Sequence, residues 1–271
     1  MQKVMRKFLR VVADYDPDYY DMYADPNEAI FAQLYVRRIA QHAALAGILP
    51  PASVLEAGCQ AGRLVVPFAK QGFQVTGIDT SGFALRRARK HVQAAGVDAR
   101  FVQGNLVDVL RAHPDWQYEI VVCAEVLYLS PDYRTMLQRL AAAVRPGGLL
   151  CVSHRPKLYY ALEALRHRDL DTAQRVLTSH EGQFDGPFHE KGYYNWQTEE
   201  ELRGLYASLG LRQVKVYPID QSAWLAQVTP SQLTTAEQDQ WLQLELGLSS
   251  EAATCARYTL VIATRPCEGE Q

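Results

Sequence analysis

The sequence predicts an α/β fold, a doubly wound parallel sheet with helices on both faces. Three observations carry this. Short apolar runs alternate with helical stretches from residue 53 to about residue 153. The runs are almost continuously apolar, the pattern of strands buried on both faces. The first run ends in a glycine turn that leads directly into a helical stretch. With 271 residues, 48% of them hydrophobic and 21% charged, the chain has material for a large core and not the composition of a disordered one.

The elements follow in order. Residues 11–28 are acidic and rich in tyrosine, with Asp14, Asp16, Asp18 and Asp21 reading as a solvated face. Asp25-Pro26-Asn27-Glu28 then opens a helix: Asp25 caps it, Pro26 suits the first helical position and Glu28 closes a capping box. Ile30, Phe31, Leu34, Tyr35 and Ile39 continue at helical spacing, and Pro50-Pro51 ends the element. Strands are predicted at 54–57, 75–78, 101–102, 120–123 and 149–152, with helices at 64–71, 83–94 and 133–144. After the fifth strand the rhythm breaks. A helix is predicted at 158–176, then a glycine- and aromatic-rich loop to residue 197. Thr198 caps a helix reaching Leu209, with Glu201 at its third position. A strand at 214–217, a second excursion at 218–257 with a helix at 235–246, and a strand at 258–264 complete the pattern. The expected organisation is an N-terminal lid and helix at 1–52. A domain at 53–271 follows, with insertions at about 154–198 and 218–257.

Composition narrows the function. The net charge is −2, without a basic stripe, which argues against nucleic acid. The five cysteines, Cys59, Cys123, Cys151, Cys255 and Cys267, are odd in number and lack a C-x-x-C pair. They read as reduced thiols of a cytoplasmic protein, with no disulfide frame and no metal site. No apolar run approaches ~18 residues, so no membrane span is expected. The basic N-terminus has too short an apolar stretch for a signal peptide. One entry is unusual: 15 Tyr against 8 Phe, although a buried phenol must find a partner for its hydroxyl.

The strongest signal is VLEAGCQAGRL at 54–64 followed by VTGIDTS at 75–81. Gly58 allows the tight turn, and Gly62 permits close approach of a ligand or of the helix. Asp79 ends the second strand about 20 residues on, where an acidic side chain receives ribose hydroxyls. A dinucleotide fingerprint needs glycine at positions 60 and 63, where this chain has Gln60 and Arg63, and no phosphate-loop motif exists. Glu56 beside the turn suits a ligand with a cationic end better than a phosphate.

These motifs resemble the class I S-adenosylmethionine-dependent methyltransferases. The resemblance rests on Glu56-Ala57-Gly58-Cys59-Gln60-Ala61-Gly62, Ile78-Asp79-Thr80-Ser81, Gly104-Asn105-Leu106, residues 118–127 and Arg145-Pro146-Gly147-Gly148, in the family's order. It covers residues ~50–155 well and 198–217 and 258–264 more loosely. It departs at Gln60, where the family has glycine, and at Asn105, where it often has aspartate. The resemblance implies a Rossmann-like sheet of seven strands, the first five parallel and the last antiparallel. It implies that Glu56, Gly58 and Gly62, with Gln60 beside them, shape the pocket for the amino-acid portion. Asp79 would hold the ribose, Thr80, Asn105 and Leu106 the adenine, and Ala124, Glu125 and Val126 the floor after the fourth strand. For Asn105 a plain helix or turn cap is an equal reading.

The acceptor would lie beyond the carboxyl ends of the strands. His154 is then either a general base or a capping histidine. Arg155 and Lys157 either hold a substrate carboxylate or form a solvated turn. Tyr20 and Tyr194 are expected at the reacting centre, with Tyr19, Tyr23, Tyr128, Tyr193 and Trp196 lining the substrate pocket. The expected activity is methyl transfer from S-adenosylmethionine to a small molecule, releasing S-adenosylhomocysteine, with no nucleic-acid or membrane partner. The alternative is a non-catalytic S-adenosylmethionine sensor or partner subunit, supported by Gln60. A nicotinamide-dependent oxidoreductase is disfavoured by Gln60 and Arg63.

Overall fold

Asp25 caps α1 (Pro26–Leu45), its carboxylate accepting from the main-chain N–H groups of Asn27 and Glu28 in the computed structural model. Glu28 does not close the capping box, because its carboxylate is drawn instead to Arg63. The structure describes residues 19–185, 189–248, 255–267 and 269. The aspartates at 14, 16 and 18 therefore lie outside the described residues, as do 186–188 of the aromatic loop.

The alternation at 53–154 folds as β1 (Ser53–Ala57), α2 (Val65–Lys70), β2 (Gln74–Asp79), α3 (Gly82–Ala94), β3 (Ala99–Gln103), α4 (Leu106–Ala112), β4 (Tyr118–Cys123), α5 (Tyr133–Ala142) and β5 (Val144–His154). Then come α6 (Lys157–Arg166), α7 (Leu170–Thr178), the hairpin β6 (Glu181–Phe184) and β7 (Gly192–Asn195), and α8 (Glu199–Ser208). The remainder is β8 (Arg212–Ile219), α9 (Ser222–Ala226), α10 (Thr235–Gly247) and β9 (Tyr258–Thr264). The seven-stranded sheet runs β3-β2-β1-β4-β5-β9-β8. Strands β1 to β5 are parallel, and β9 is antiparallel to both its neighbours. The predicted doubly wound, Rossmann-like sheet is the one found. Its order reverses direction between β1 and β4, which opens a crevice at the carboxyl ends of the strands.

Two apolar layers sandwich the sheet. Phe31, Leu34 and Tyr35 of α1 pack with Ile120 and Val122 on one face. Leu137 and Leu140 of α5 and Tyr206 of α8 pack with Leu55 and Val121 on the other. The alternating parity of β4 decides which residue goes where.

Three local expectations need correction. The helix predicted at 158–176 is two helices. Arg168 sits at φ 60, in the left-handed region, and Asp169 caps the new start by accepting from the N–H of Thr172. Helix α4 is an addition, started by Asn105, whose side-chain oxygen accepts from the N–H of Val107 at 2.8 Å. The aromatic loop contains the β6–β7 hairpin, folded around Trp196. That indole is fully buried and donates to the carbonyls of Val176 and Ser179. Gly182 lies against the ring, where a Cβ would stand 3.1 Å away.

Candidate active site

The site begins where β1 ends. The chain turns at Gly58, at φ +82, and a Cβ there would fall 2.3 Å from the Val126 side chain, so only glycine fits. The N–H groups of Gly58 and Cys59 donate to the Ile78 carbonyl at 2.8 and 3.0 Å, tying the turn to the end of β2. Asp79 locks the other side. One of its oxygens accepts from the Gln60 N–H at 2.9 Å and the other from the Ser81 N–H at 2.8 Å. A carboxylate has about four lone-pair sites, so capacity remains for a diol. Gly62, at φ +87, faces Ala88 of α3; its role is close helix packing, and it does not line the cavity.

Gln60 does more than fill a glycine position. Its Oε1 accepts from the Met22 N–H at 3.2 Å and its Nε2 donates to the Tyr20 carbonyl at 3.0 Å. One side chain thus clasps the main chain of the strap at 19–25 across the glycine turn. Tyr20 and Met22 of this strap form one wall of a cavity of about 660 Å³. That volume is in the range of small-molecule sites.

The cavity holds an unusual density of buried charge. Arg63 donates to Glu28 and, at 2.8 Å, to Glu125. Burial works to raise Glu125, but the Arg63 guanidinium outweighs it and holds that carboxyl low. Glu28 is pushed up by burial and by the charge of Glu125. Glu125 sits at φ 62, a strained backbone for a side chain of this size, and its N–H donates to Ser153 Oγ at 2.6 Å. Burial pushes the Glu56 carboxyl up to about 8, against the pull of Arg63. Its Oε2 has no hydrogen-bond partner among the described residues. A buried carboxylate oxygen left unmatched in a cavity asks for a cation.

Twelve of the residues predicted from sequence line this cavity: Glu56, Gly58, Gln60, Asp79, Thr80, Asn105, Leu106, Ala124, Glu125, Val126, Tyr20 and Tyr128. Asn105 is thus both the helix cap and a cavity wall. Sequence reasoning missed Met22, Glu28, Arg257 and Tyr258, and used Arg63 only as evidence against a dinucleotide. Glu28 carried a signal, as a carboxylate one turn into a helix beside a buried strand end, and Met22 stands between the predicted Tyr20 and Tyr23; Arg257 and Tyr258 come from the far end of the chain.

The remaining predictions fail for physical reasons. His154 is fully buried, pairs with the Tyr206 hydroxyl at 2.9 Å, and is pushed down to about 3 by burial, so it is a neutral core residue and no base. Arg155 donates to the Tyr258 hydroxyl at 2.8 Å and lies against the rings of Tyr128, Tyr159 and Tyr258, so it is enclosed before any substrate could reach it. Tyr19 packs edge-on against Phe83, and Tyr23 stacks on His91 at 4.0 Å; both pin the strap to α3 from outside the cavity. Tyr193 donates to Glu181 across the hairpin, and Tyr194 donates to the Glu190 carbonyl while packing on Tyr160 and Phe184. Tyr194 packs with Trp196 in the aromatic core beside the hairpin, Tyr193 is only half-buried on its surface, and none of the three lines the cavity.

Family and fold comparisons agree with this geometry. A family described as a methyltransferase domain matches residues 54–148. The ubiquinone biosynthesis O-methyltransferase of Pectobacterium carotovorum is 38% identical over 95 residues, 35% of this chain and 39% of that protein. Its counterpart in Aeromonas salmonicida is 37% identical over 109 residues, 39% of this chain and 45% of that one. The chain spans about two fifths of the length of the curated relatives it matches. Magnesium protoporphyrin IX methyltransferase from Synechocystis, solved with S-adenosylhomocysteine, aligns over 98% of this chain and 100% of its own at 18% identity and TM-score 0.55. An S-adenosylmethionine-dependent methyltransferase from Clostridium acetobutylicum aligns over 98% of both chains at 11% identity and TM-score 0.56. At such identities the likeness is one of fold.

Proposed function

We propose, from the premise that residues 54–148 are a methyltransferase domain set in a class I fold, that this protein transfers a methyl group from S-adenosylmethionine to a small molecule. The observation that carries the reading is the cavity at the β1–β4 switch point, with its unmatched Glu56 oxygen beside the glycine turn. The residues present fit the donor. Glu56, across the turn from Gly58, would hold the ammonium of the amino-acid portion. Asp79 would take the ribose hydroxyls, already aimed by its two main-chain hydrogen bonds. Thr80, Asn105 and Leu106 would flank the adenine.

When bound, the donor supplies a methyl carbon already activated by a positive sulfur. The chain's task is then to position and to exclude water. Arg63 fixes Glu28 and Glu125 on the cavity wall. The strap, clasped by Gln60, closes the open side. Tyr20 pairs its hydroxyl with Asp25, and burial and that carboxylate push its phenol up, so Tyr20 orients and shields without taking a proton. A small acceptor is supported by the enclosing strap and by the two insertions, which contribute Glu190 and Arg257 to the cavity wall. The buried thiols Cys59, Cys123 and Cys151 fit a reducing compartment such as the cytoplasm. Among the described residues no helix is long and apolar enough to cross a membrane.

Isothermal titration with S-adenosylmethionine and S-adenosylhomocysteine tests the donor site, and release of S-adenosylhomocysteine over an acceptor panel tests turnover. Micromolar binding with turnover is expected. Binding without turnover on any acceptor would favour the sensor reading, and absence of binding would remove both.

A further inference from the structure

A second cavity, of about 460 Å³, adjoins the first and shares Tyr20, Glu28 and Arg257 with it. Its far wall comes from α6 and from the segment after β8: Tyr159, Glu163, Asp220 and Trp224. Most polar groups here are already engaged. Asp25 caps α1, and Glu28 is held by Arg63. Glu163 accepts from Arg166 and from the Trp224 indole N–H, and Asn27 Oδ1 accepts from the Ser231 N–H at 2.9 Å. Asp220 is different. It is 3% exposed and sits at φ 57, in the left-handed region. One carboxylate oxygen accepts from Arg257 at 3.3 Å, while Oδ1 has no partner among the described residues.

We propose that this second cavity is the acceptor site, that it takes a small amine, and that Asp220 Oδ1 receives the amine's N–H. The inference rests on the donor reading of the first cavity, because it assigns the neighbouring space to the second substrate. The chemistry follows from what is left unmatched. A buried, unshared carboxylate oxygen needs a donor, and water or a ligand must supply it. The wall carries Asp25, Glu28, Glu163 and Asp220 against two guanidiniums, Arg166 and Arg257, so a cationic group is complementary where an anion is not. The left-handed backbone at Asp220 adds a second mark, since such strain gathers at ligand contacts. Burial pushes this carboxyl up to about 7 even against Arg257, so Asp220 can accept the proton that an ammonium must lose before its nitrogen takes a methyl group.

Phenethylamine and its alcohol counterpart phenylethanol are suitable probes on the protein saturated with S-adenosylhomocysteine, read by the Trp224 indole N–H resonance. The amine is expected to bind about tenfold or more tightly than the alcohol. Asp220→Asn should erase that preference and leave S-adenosylhomocysteine affinity unchanged. Val228→Trp, which fills the same cavity from its exposed rim, should block both probes and also leave that affinity intact. Equal binding of amine and alcohol, no amine binding, a preference that survives Asp220→Asn, or amine binding retained in Val228→Trp would each overturn the proposal. If S-adenosylhomocysteine does not bind the unmodified protein, the donor reading falls by itself. The amine preference is then read on the ligand-free protein.

Discussion

The sheet has a cavity at each end, and the two differ in what their walls need. At the amino ends of the strands, Ser53, Gln74, Ala99 and Tyr118 border a space of about 870 Å³. At the carboxyl ends the space is about 660 Å³. The larger one is bordered by Arg100, whose guanidinium lies over the Trp116 ring at 5.0 Å, and by no buried side-chain polar atom left without a hydrogen-bond partner among the described residues. The smaller one holds a buried Glu28–Arg63–Glu125 cluster, left-handed backbone at Gln60 and Glu125, and a carboxylate oxygen without a partner. Volume therefore does not by itself single out one end of this sheet as a binding site, whereas unmatched buried charge favours the carboxyl end proposed for the donor.

Perturbing one end and then the other would break or sharpen that contrast. The largest effect is expected from Asp79→Ala, which removes two fixed charge-assisted hydrogen bonds of the turn and the ribose acceptor together. S-adenosylhomocysteine affinity should fall by about 3 kcal/mol, roughly a hundredfold, by calorimetry. Unchanged affinity would sink the ribose assignment.

Glu56→Gln comes next, with a loss of about tenfold in affinity for the donor and the loss of its pH dependence. The sign follows from burial. The folded protein holds a proton on Glu56 up to about 8, whereas the unfolded chain releases it near 4.5. Glu56 thus lowers stability as pH rises across that window, and Gln should flatten this slope in thermal melts. Donor binding has the opposite trend, because an ammonium needs the ionised carboxylate: affinity should rise towards pH 8 and binding should release a proton. Calorimetry in buffers of differing ionisation enthalpy reads that proton directly.

Gln60→Gly removes the clasp and should weaken strap closure by about 1–2 kcal/mol. Faster S-adenosylhomocysteine release and earlier proteolytic cutting near Tyr20 would show it. His154→Gln should leave the turnover rate unchanged while lowering stability by about 1–3 kcal/mol, since it disturbs a buried pair with Tyr206. A collapse in turnover with intact donor binding would restore His154 as a base. At the amino end, Arg100→Ala should cost about 0.5 kcal/mol of stability and nothing in donor affinity.

The carboxyl end was legible because its parts are local. Gly58, Asp79 and the strand before each stand within one β-α-β unit, and the backbone needs of a tight turn write themselves into residue type. Asn105 was legible for both its roles, since a cap and a cavity wall ask for the same short polar side chain. Tyr20 and Tyr128 line the cavity as expected, but Tyr19, Tyr23, Tyr193 and Tyr194 misled, because aromatic content says nothing about which side of a layer it faces. Tyr194 and Trp196 are buried by α6 and α7, elements close in sequence whose packing no periodicity encodes. His154 was misplaced by the predicted strand end at 152. Strand β5 runs on to His154, and parity then puts that ring with Leu150 and Val152 against α8, while Ser153 turns to Glu125. Asp220 and Arg257 could not be paired in advance, because the sequence between them gives no sign that the chain returns to the same corner.

Strand β9 carries a consequence for how the protein assembles. It lies between β5 and β8, both of which precede it in the chain, and its Thr259 bonds to the His154 carbonyl across 105 positions. The sheet therefore cannot zip together in the order of synthesis. Strands β1 to β5 can pair as they emerge, but β8 has no neighbour until β9 arrives to fill the gap. Arg257 and Tyr258, which wall both cavities or the first of them, enter with that strand. Ligand competence should thus appear late and all at once in refolding. Pulsed hydrogen exchange would show β8 and β9 gaining protection together, after β1 and β4, and in step with the recovery of S-adenosylhomocysteine binding.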